Sequence, residues 1–146
     1  MTVAEELSAE VCRFLLSSEE VGRVAFVGDD GYPVVLPVNY RLQNDLIVFR
    51  TAPGAKLDQV PMRPVAFEVD HLAPTVRAGW SVLVQGVGHD LTTAIGPDYE
   101  QVRDETLEHW DPGAKDHWLG IVIHSITGRQ IANPRTSPPE EPPADL

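Results

Sequence analysis

The 146-residue sequence contains one cysteine, Cys12, so no internal disulfide can form and a reducing compartment is the expectation. Cations are also scarce: 11 basic residues, only two of them lysines (Lys56 and Lys115), face 22 acidic ones, for a net charge of −11. That balance excludes nucleic acid as the main partner, because phosphate backbones are held by neutralising them. No apolar run approaches the roughly 18 residues of a membrane span. The opening "MTVAEELSAEV" lacks the basic flank and apolar core of a secretory signal, so a cytoplasmic protein is expected. The histidines at 71, 89, 109, 117 and 124 form no HxH or HExxH and have no carboxylate at ligand spacing, which predicts no metal site. There is no GxxxxGK[ST] phosphate loop, and "GWSVLVQG" is not the GxSxG elbow of a hydrolase. Cys12 falls on a presumed core helix, which argues against a thiol nucleophile.

What is present reads as one domain, since 146 residues are enough for one real core and too few for two. Val3, Leu7, Val11, Phe14 and Leu15 fall at helical spacing, predicting an amphipathic N-terminal helical segment over 1–20 with Cys12 on or beside its buried face. From Gly22 the period changes to two. Strands are predicted at 23–28, 32–42, 46–51, 63–70, 79–91 and 117–131, with "DDG" and "QND" as hairpin turns, a short helix after Pro53, and a helix starting at Gly96-Pro97-Asp98. Tyr99, Val102, Leu107 and Trp110 mark the buried stripe of that last helix, with Trp110 in the core. The residues from 133 to 146, "NPRTSPPEEPPADL", predict a disordered, proline-rich acidic tail. Six strands joined mostly by hairpins, with helices as accessories, describe a mainly β fold: a six-stranded antiparallel barrel spanning 21–132.

Three stretches carry chemistry. In "FRTAPGAKL" (49–57) an apolar strand ends on a guanidinium and a hydroxyl, then turns through Pro-Gly into an ammonium. Arg50 and Thr51 alone suit a solvated strand end. With Lys56 they offer a fork donor, a hydroxyl and a point charge to one dianion. In "VLPVNY" (35–40), Pro37 cannot donate to a ladder, which fits either an awkward barrel strand or backbone groups left free for an edge-on heterocycle beside Asn39. Trp80 and Trp118 each begin a strand, and either could cover a flat ligand.

Taken in order, "VGRVAF", "LPVNY", "VFRTAPGAKL", "VAFEVD", "GWSVLVQG" and the closing "W…ITGRQI" resemble the pyridoxamine phosphate oxidase-like family of FMN-binding split barrels, over about residues 20–131. The resemblance implies a homodimeric split barrel binding FMN at the subunit interface, with a related deazaflavin coenzyme as the alternative. It implies an FMN-dependent oxidoreductase acting on an unidentified small molecule, the other possibility being a flavin- or haem-binding carrier or sensor. Arg50, Thr51 and Lys56 would hold the phosphate. Leu36, Pro37, Val38 and Asn39 would line the flavin ring, largely through backbone groups. Trp80 and Ser81 fall where the family places flavin contacts, and Trp118 and Arg129 match residues supplied across the dimer. In the vitamin-pathway oxidase an arginine-x-histidine pair grips the phosphorylated product; the matching stretch here is His124-Ser125-Ile126, without the arginine. No catalytic acid or base is assigned; Tyr40, Arg77 and His124 are the polar residues singled out for mutation.

Overall fold

The computed structural model describes residues 3–104, 107, 110, 113 and 115–132. The proline-rich tail and part of the acidic segment before residue 117 lie outside these. Chain order is β1 (Val3–Leu7), α1 (Ala9–Ser17), β2 (Val21–Val27), β3 (Pro33–Gln43), β4 (Leu46–Thr51), a 3-10 turn (Lys56–Gln59), β5 (Pro64–Ala73), β6 (Ala78–Asp90), α2 (Pro97–Asp104) and β7 (His117–Ala132). All strand pairings are antiparallel, in the order β1-β7-β4-β3-β2-β5-β6, and β7 also pairs with β6. The last pairing closes β2 to β7 into a six-stranded ring, so the barrel expected from the alternating strands is present.

Alternation decides what fills the ring. On β2 to β7 one face supplies Val24, Phe26, Ile47, Phe49, Val65, Phe67, Val69, Val82, Val84, Leu119 and Ile121, all buried. Each such side chain contributes about 1.5–3 kcal/mol of transfer free energy. Gly22 lies where a Cβ would sit 2.2 Å from the Phe67 ring, so the absent side chain is what lets that ring in. Between β3 and β4, Asn44 and Asp45 adopt φ of 49° and 62°, the conformation a two-residue hairpin needs and Asn and Asp tolerate.

The N-terminus departs from expectation. Residues 3–7 form a strand paired with Gly128–Ala132, not the first turn of a helix. The helix begins only after Ser8, whose hydroxyl accepts from the Val11 amide as an N-cap. It buries Cys12, Leu15 and Leu16, while Val11 and Phe14 are exposed. Cross-strand pairing outweighs the helical preference of "VAEEL". Cys12 is fully buried as anticipated, and burial pushes its thiol pKa upward. α2 starts at Pro97 as read, but Trp110 is 71% exposed and not in the core. Val102 and Leu107 do bury, against Val48, Leu91 and Trp118 on the barrel's outer side.

Candidate functional site

Between β3 and β4 the ladder stops short of the end of β4. β3 and β4 pair from Gln43↔Leu46 to Tyr40↔Phe49 and then part. Beyond that point β3 stays with β2, as far as Val27↔Pro33, and β4 stays with β7, as far as Thr51↔His117. The Tyr40 amide donates to the Glu20 carbonyl and the Gly28 amide to the Tyr32 carbonyl. Even-numbered β3 residues therefore spend their backbone groups on β2, and by antiparallel alternation the odd-numbered ones face the parted edge. A slot results. One wall carries the backbone groups of Val35 and Asn39 and the carbonyl of Pro37, with the backbone of Arg50 opposite. Pro37 costs nothing here, because the N–H it lacks would have had no strand to meet.

Arg50 stands beside this slot on the outward face of β4, directly across from Trp118 of β7. Its guanidinium carbon lies 4.8 Å from the centre of the indole ring, a cation–π contact. Its Nε is buried and has no hydrogen-bond partner. A buried donor left unpaired costs about 1–3 kcal/mol, so an unfilled guanidinium calls for an acceptor that arrives from outside. Most other described cations are engaged within the chain. Arg13 pairs with Asp45, Arg63 with Asp29, and Arg23 with Glu68 and Asp70, while Arg41 and Arg103 donate to backbone carbonyls. Among the described residues Arg50, Lys56, Arg77 and Arg129 make no ion pair or side-chain hydrogen bond. Two of these four, Arg50 and Lys56, are residues the sequence assigns to an anion, and Arg129 is one the resemblance assigns to the cofactor.

The other assigned residues divide. Pro37 and Asn39 turn their backbones to the slot. Asn39 Oδ1 accepts from the Trp110 amide at 2.8 Å, which leaves the side-chain N–H groups as what it can offer. Leu36 and Val38 use their backbone groups on β2 and point their side chains at the core. Val35, whose backbone shares the slot wall, was not singled out from sequence; its odd position, matching Pro37, was the available signal. Thr51 is 3% exposed, on the face opposite Arg50, with its hydroxyl 3.5 Å from the Ala52 carbonyl. Lys56 is exposed at the start of the 3-10 turn.

Trp80, Ser81 and Arg129 form a second group, on β6 and β7. Ser81 pairs with Arg129, and Trp80 with Gln130 and His71, the Trp80 and His71 rings being 6.4 Å apart. Eleven positions of β7 separate Arg129 from Trp118, and among the described residues no side-chain hydrogen bond or ion pair joins the two groups. Of the polar residues marked for mutation, Tyr40 is buried and its hydroxyl donates to the Leu16 carbonyl, a structural role; burial, followed by Glu19, pushes its phenol pKa well up. Arg77 sits in the β5–β6 turn with φ 53°. His124 edges a groove of about 620 Å³ on the barrel side, also lined by Ala25, Val27, Pro64, Ala66 and Val87.

One charged cluster had no sequence signal. Glu68 lies on β5 beside Arg23, which pairs across to Pro37 on the other side. Burial, then the hydrogen bond and charge of Asp70, push the Glu68 carboxyl up to about 7, with Arg23 opposing. Among the described residues no group of three histidine, cysteine or acidic side chains is arranged to hold a metal ion, and no helix is long and apolar enough to cross a membrane.

Known proteins share this architecture. A family model described as pyridoxamine 5'-phosphate oxidase matches residues 8–130. An uncharacterised protein of Mycobacterium tuberculosis is 35% identical over 140 residues, covering 90% of this chain and 88% of its own. The solved FAD binding protein of Mycobacterium smegmatis superposes with a TM-score of 0.73 at 30% identity, over 90% of this chain and 99% of its own. An FAD-binding protein of Mesorhizobium loti gives 0.72 at 24% identity, over 91% and 100%, a likeness of fold. With that match over most of its length, a barrel parted between β3 and β4, and an unfilled arginine at the parting, the chain belongs to the pyridoxamine 5'-phosphate oxidase family.

Proposed function

We propose that the protein binds a flavin nucleotide in the β3–β4 slot and uses it in an oxidoreductase reaction on a small molecule. The observation that carries this reading is Arg50, whose buried Nε lacks a partner beside an edge of free backbone groups. The donor set fits the ligand. A flavin ring offers alternating acceptors and donors along its edge, matching the Val35, Pro37 and Asn39 backbone groups, and its phosphate offers the oxygens that Arg50 and Lys56 lack. When bound, the flavin supplies hydride and electron transfer, and the protein's part is to orient it and exclude water. FMN is the form the seat requires at minimum; the M. smegmatis relative, an FAD binding protein, supports FAD as a second reading through the same phosphate contact.

The functional unit in this reading is a homodimer. The resemblance places Trp118 and Arg129 across a dimer, so in this reading a second copy would deliver Arg129. Val27, Val35, Leu83, Val87 and Val122 stand on the outward sheet face, each 38–63% exposed, and offer the apolar surface such a dimer would cover.

The protein purified without added cofactor should show an oxidised-flavin spectrum that NADPH or NADH bleaches, and should elute as a dimer in light-scattering chromatography. The Arg50→Ala/Lys56→Ala double variant should be colourless yet folded. Flavin retention unchanged in that variant refutes the assigned seat, and a wild-type protein that takes up neither FMN nor FAD refutes the function.

A further inference from the structure

Asp58 closes the loop that carries Lys56. One carboxylate oxygen accepts from the Gly54 amide and the other lies 2.8 Å from His117 Nδ1. A carboxylate accepts, so Nδ1 carries the hydrogen and the imidazole donates. Gly54 itself adopts φ 77°, the left-handed conformation that lets the chain reverse after Pro53. The loop is further fixed by the Ala55 amide on the Ala52 carbonyl and by buried Leu57. His117 is not a free surface residue. It sits opposite Thr51 in the β4–β7 ladder and next to Trp118, on whose ring Arg50 lies. Lys56 is thus the exposed cation in the middle of a ring of five residues, and that ring is tied by one carboxylate to the strand that bears the Arg50 partner.

We propose that His117 and Asp58 are positioning residues that hold Lys56 over the anion seat, acting on phosphate affinity without touching the ligand. The proposal rests on the flavin-nucleotide reading above. It assigns a role to a histidine and an aspartate that neither motif nor spacing marks.

The test is a double-mutant cycle on the full-length protein, with FMN and riboflavin as the paired probes. His117→Ala should weaken FMN about tenfold, the order expected when one charge-assisted contact is misplaced, and riboflavin by less than about twofold, because riboflavin has no phosphate for Lys56 to meet. His117→Asn, whose amide nitrogen replaces Nδ1, should restore most of the FMN affinity. In a Lys56→Ala background His117→Ala should add almost nothing, since its effect runs through the lysine. Hydrogen exchange of the Gly54 amide should quicken in His117→Ala even without ligand. Equal losses for FMN and riboflavin, no rescue by asparagine, or a full His117→Ala effect in the absence of Lys56 would each overturn the proposal. If the wild-type protein binds FMN no more tightly than riboflavin, the phosphate seat itself is wrong and the positioning role falls with it; faster Gly54 exchange would then mark a purely structural clamp.

Discussion

Arg50→Met separates what the arginine does for the fold from what it does for a ligand, and the two effects have opposite signs. In the ligand-free protein the guanidinium gains a cation–π contact with Trp118, worth about 0.5–1 kcal/mol. Against this stands a buried, unpaired Nε, which costs about 1–3 kcal/mol. Methionine keeps an apolar stem on the indole and removes the unpaired donor. The variant should therefore be as stable as wild type or up to about 2 kcal/mol more stable, read as the urea midpoint of apo protein. Binding moves the other way. Loss of a charge-assisted, fork-shaped contact to phosphate is worth about 1.5–3 kcal/mol, or roughly 10- to 150-fold in FMN affinity at 1.4 kcal/mol per decade. Riboflavin affinity, followed by fluorescence quenching under the same conditions, should hardly change. An apo variant destabilised by more than about 1 kcal/mol, or one that loses FMN and riboflavin equally, would show that Arg50 is a structural residue and that the unpaired nitrogen is not an anion donor.

Two further outcomes concern the scaffold. The Glu68 carboxyl, pushed up to about 7, favours its neutral form in the folded protein. Its effect is therefore absent below the ordinary carboxyl range near 4.5 and becomes a growing penalty as pH rises towards 7. The whole shift corresponds to roughly 3 kcal/mol, and solvent reaching a carboxyl about a third exposed reduces it to about 1 kcal/mol. Glu68→Gln should thus gain about 1 kcal/mol over wild type at pH 7.5 and almost nothing at pH 4.5 in chemical denaturation; a gain independent of pH would contradict the assignment. Gly22→Ala forces a Cβ to within 2.2 Å of the Phe67 ring, which is fully buried and edge-packed on Tyr40. It should cost at least about 2 kcal/mol in thermal or urea unfolding, and a neutral result would mean that the ring moves freely.

How much of this could be read from the residues depends on the range of the interaction. The six ring strands were legible because period-two patterns such as "RVAFV" and "LIVFRT" are bounded by Asp, Asn and Gly turns, all local features. β1 was not. "VAEEL" has helix-forming side chains, and only its partner, more than a hundred residues later, makes it a strand. Trp110 and Phe14 were misplaced because a helical stripe says that a face exists without saying where the helix ends or how it rolls. At the site, Pro37 announced an unusual edge, and the cations at 50 and 56 announced an anion. Strand alternation already put Thr51 on the face opposite Arg50, but sequence could not say that Leu36 and Val38 are committed to β2 and the core, or that Asp58 and His117 meet across 59 positions.

Seven strands share one sheet, yet the ring has a single keystone: β7, which borders β6 on one side and β4, then β1, on the other. Until that segment docks, β4 and β6 are both open ladders with free amides, and nothing earlier in the chain can shield them. Assembly must wait for the most distant pairing, so this topology predicts slow acquisition of native structure and a nascent chain that is vulnerable to strand exchange. On β4 the hazard falls on the flank away from the slot, which gains its partner only when β7 arrives.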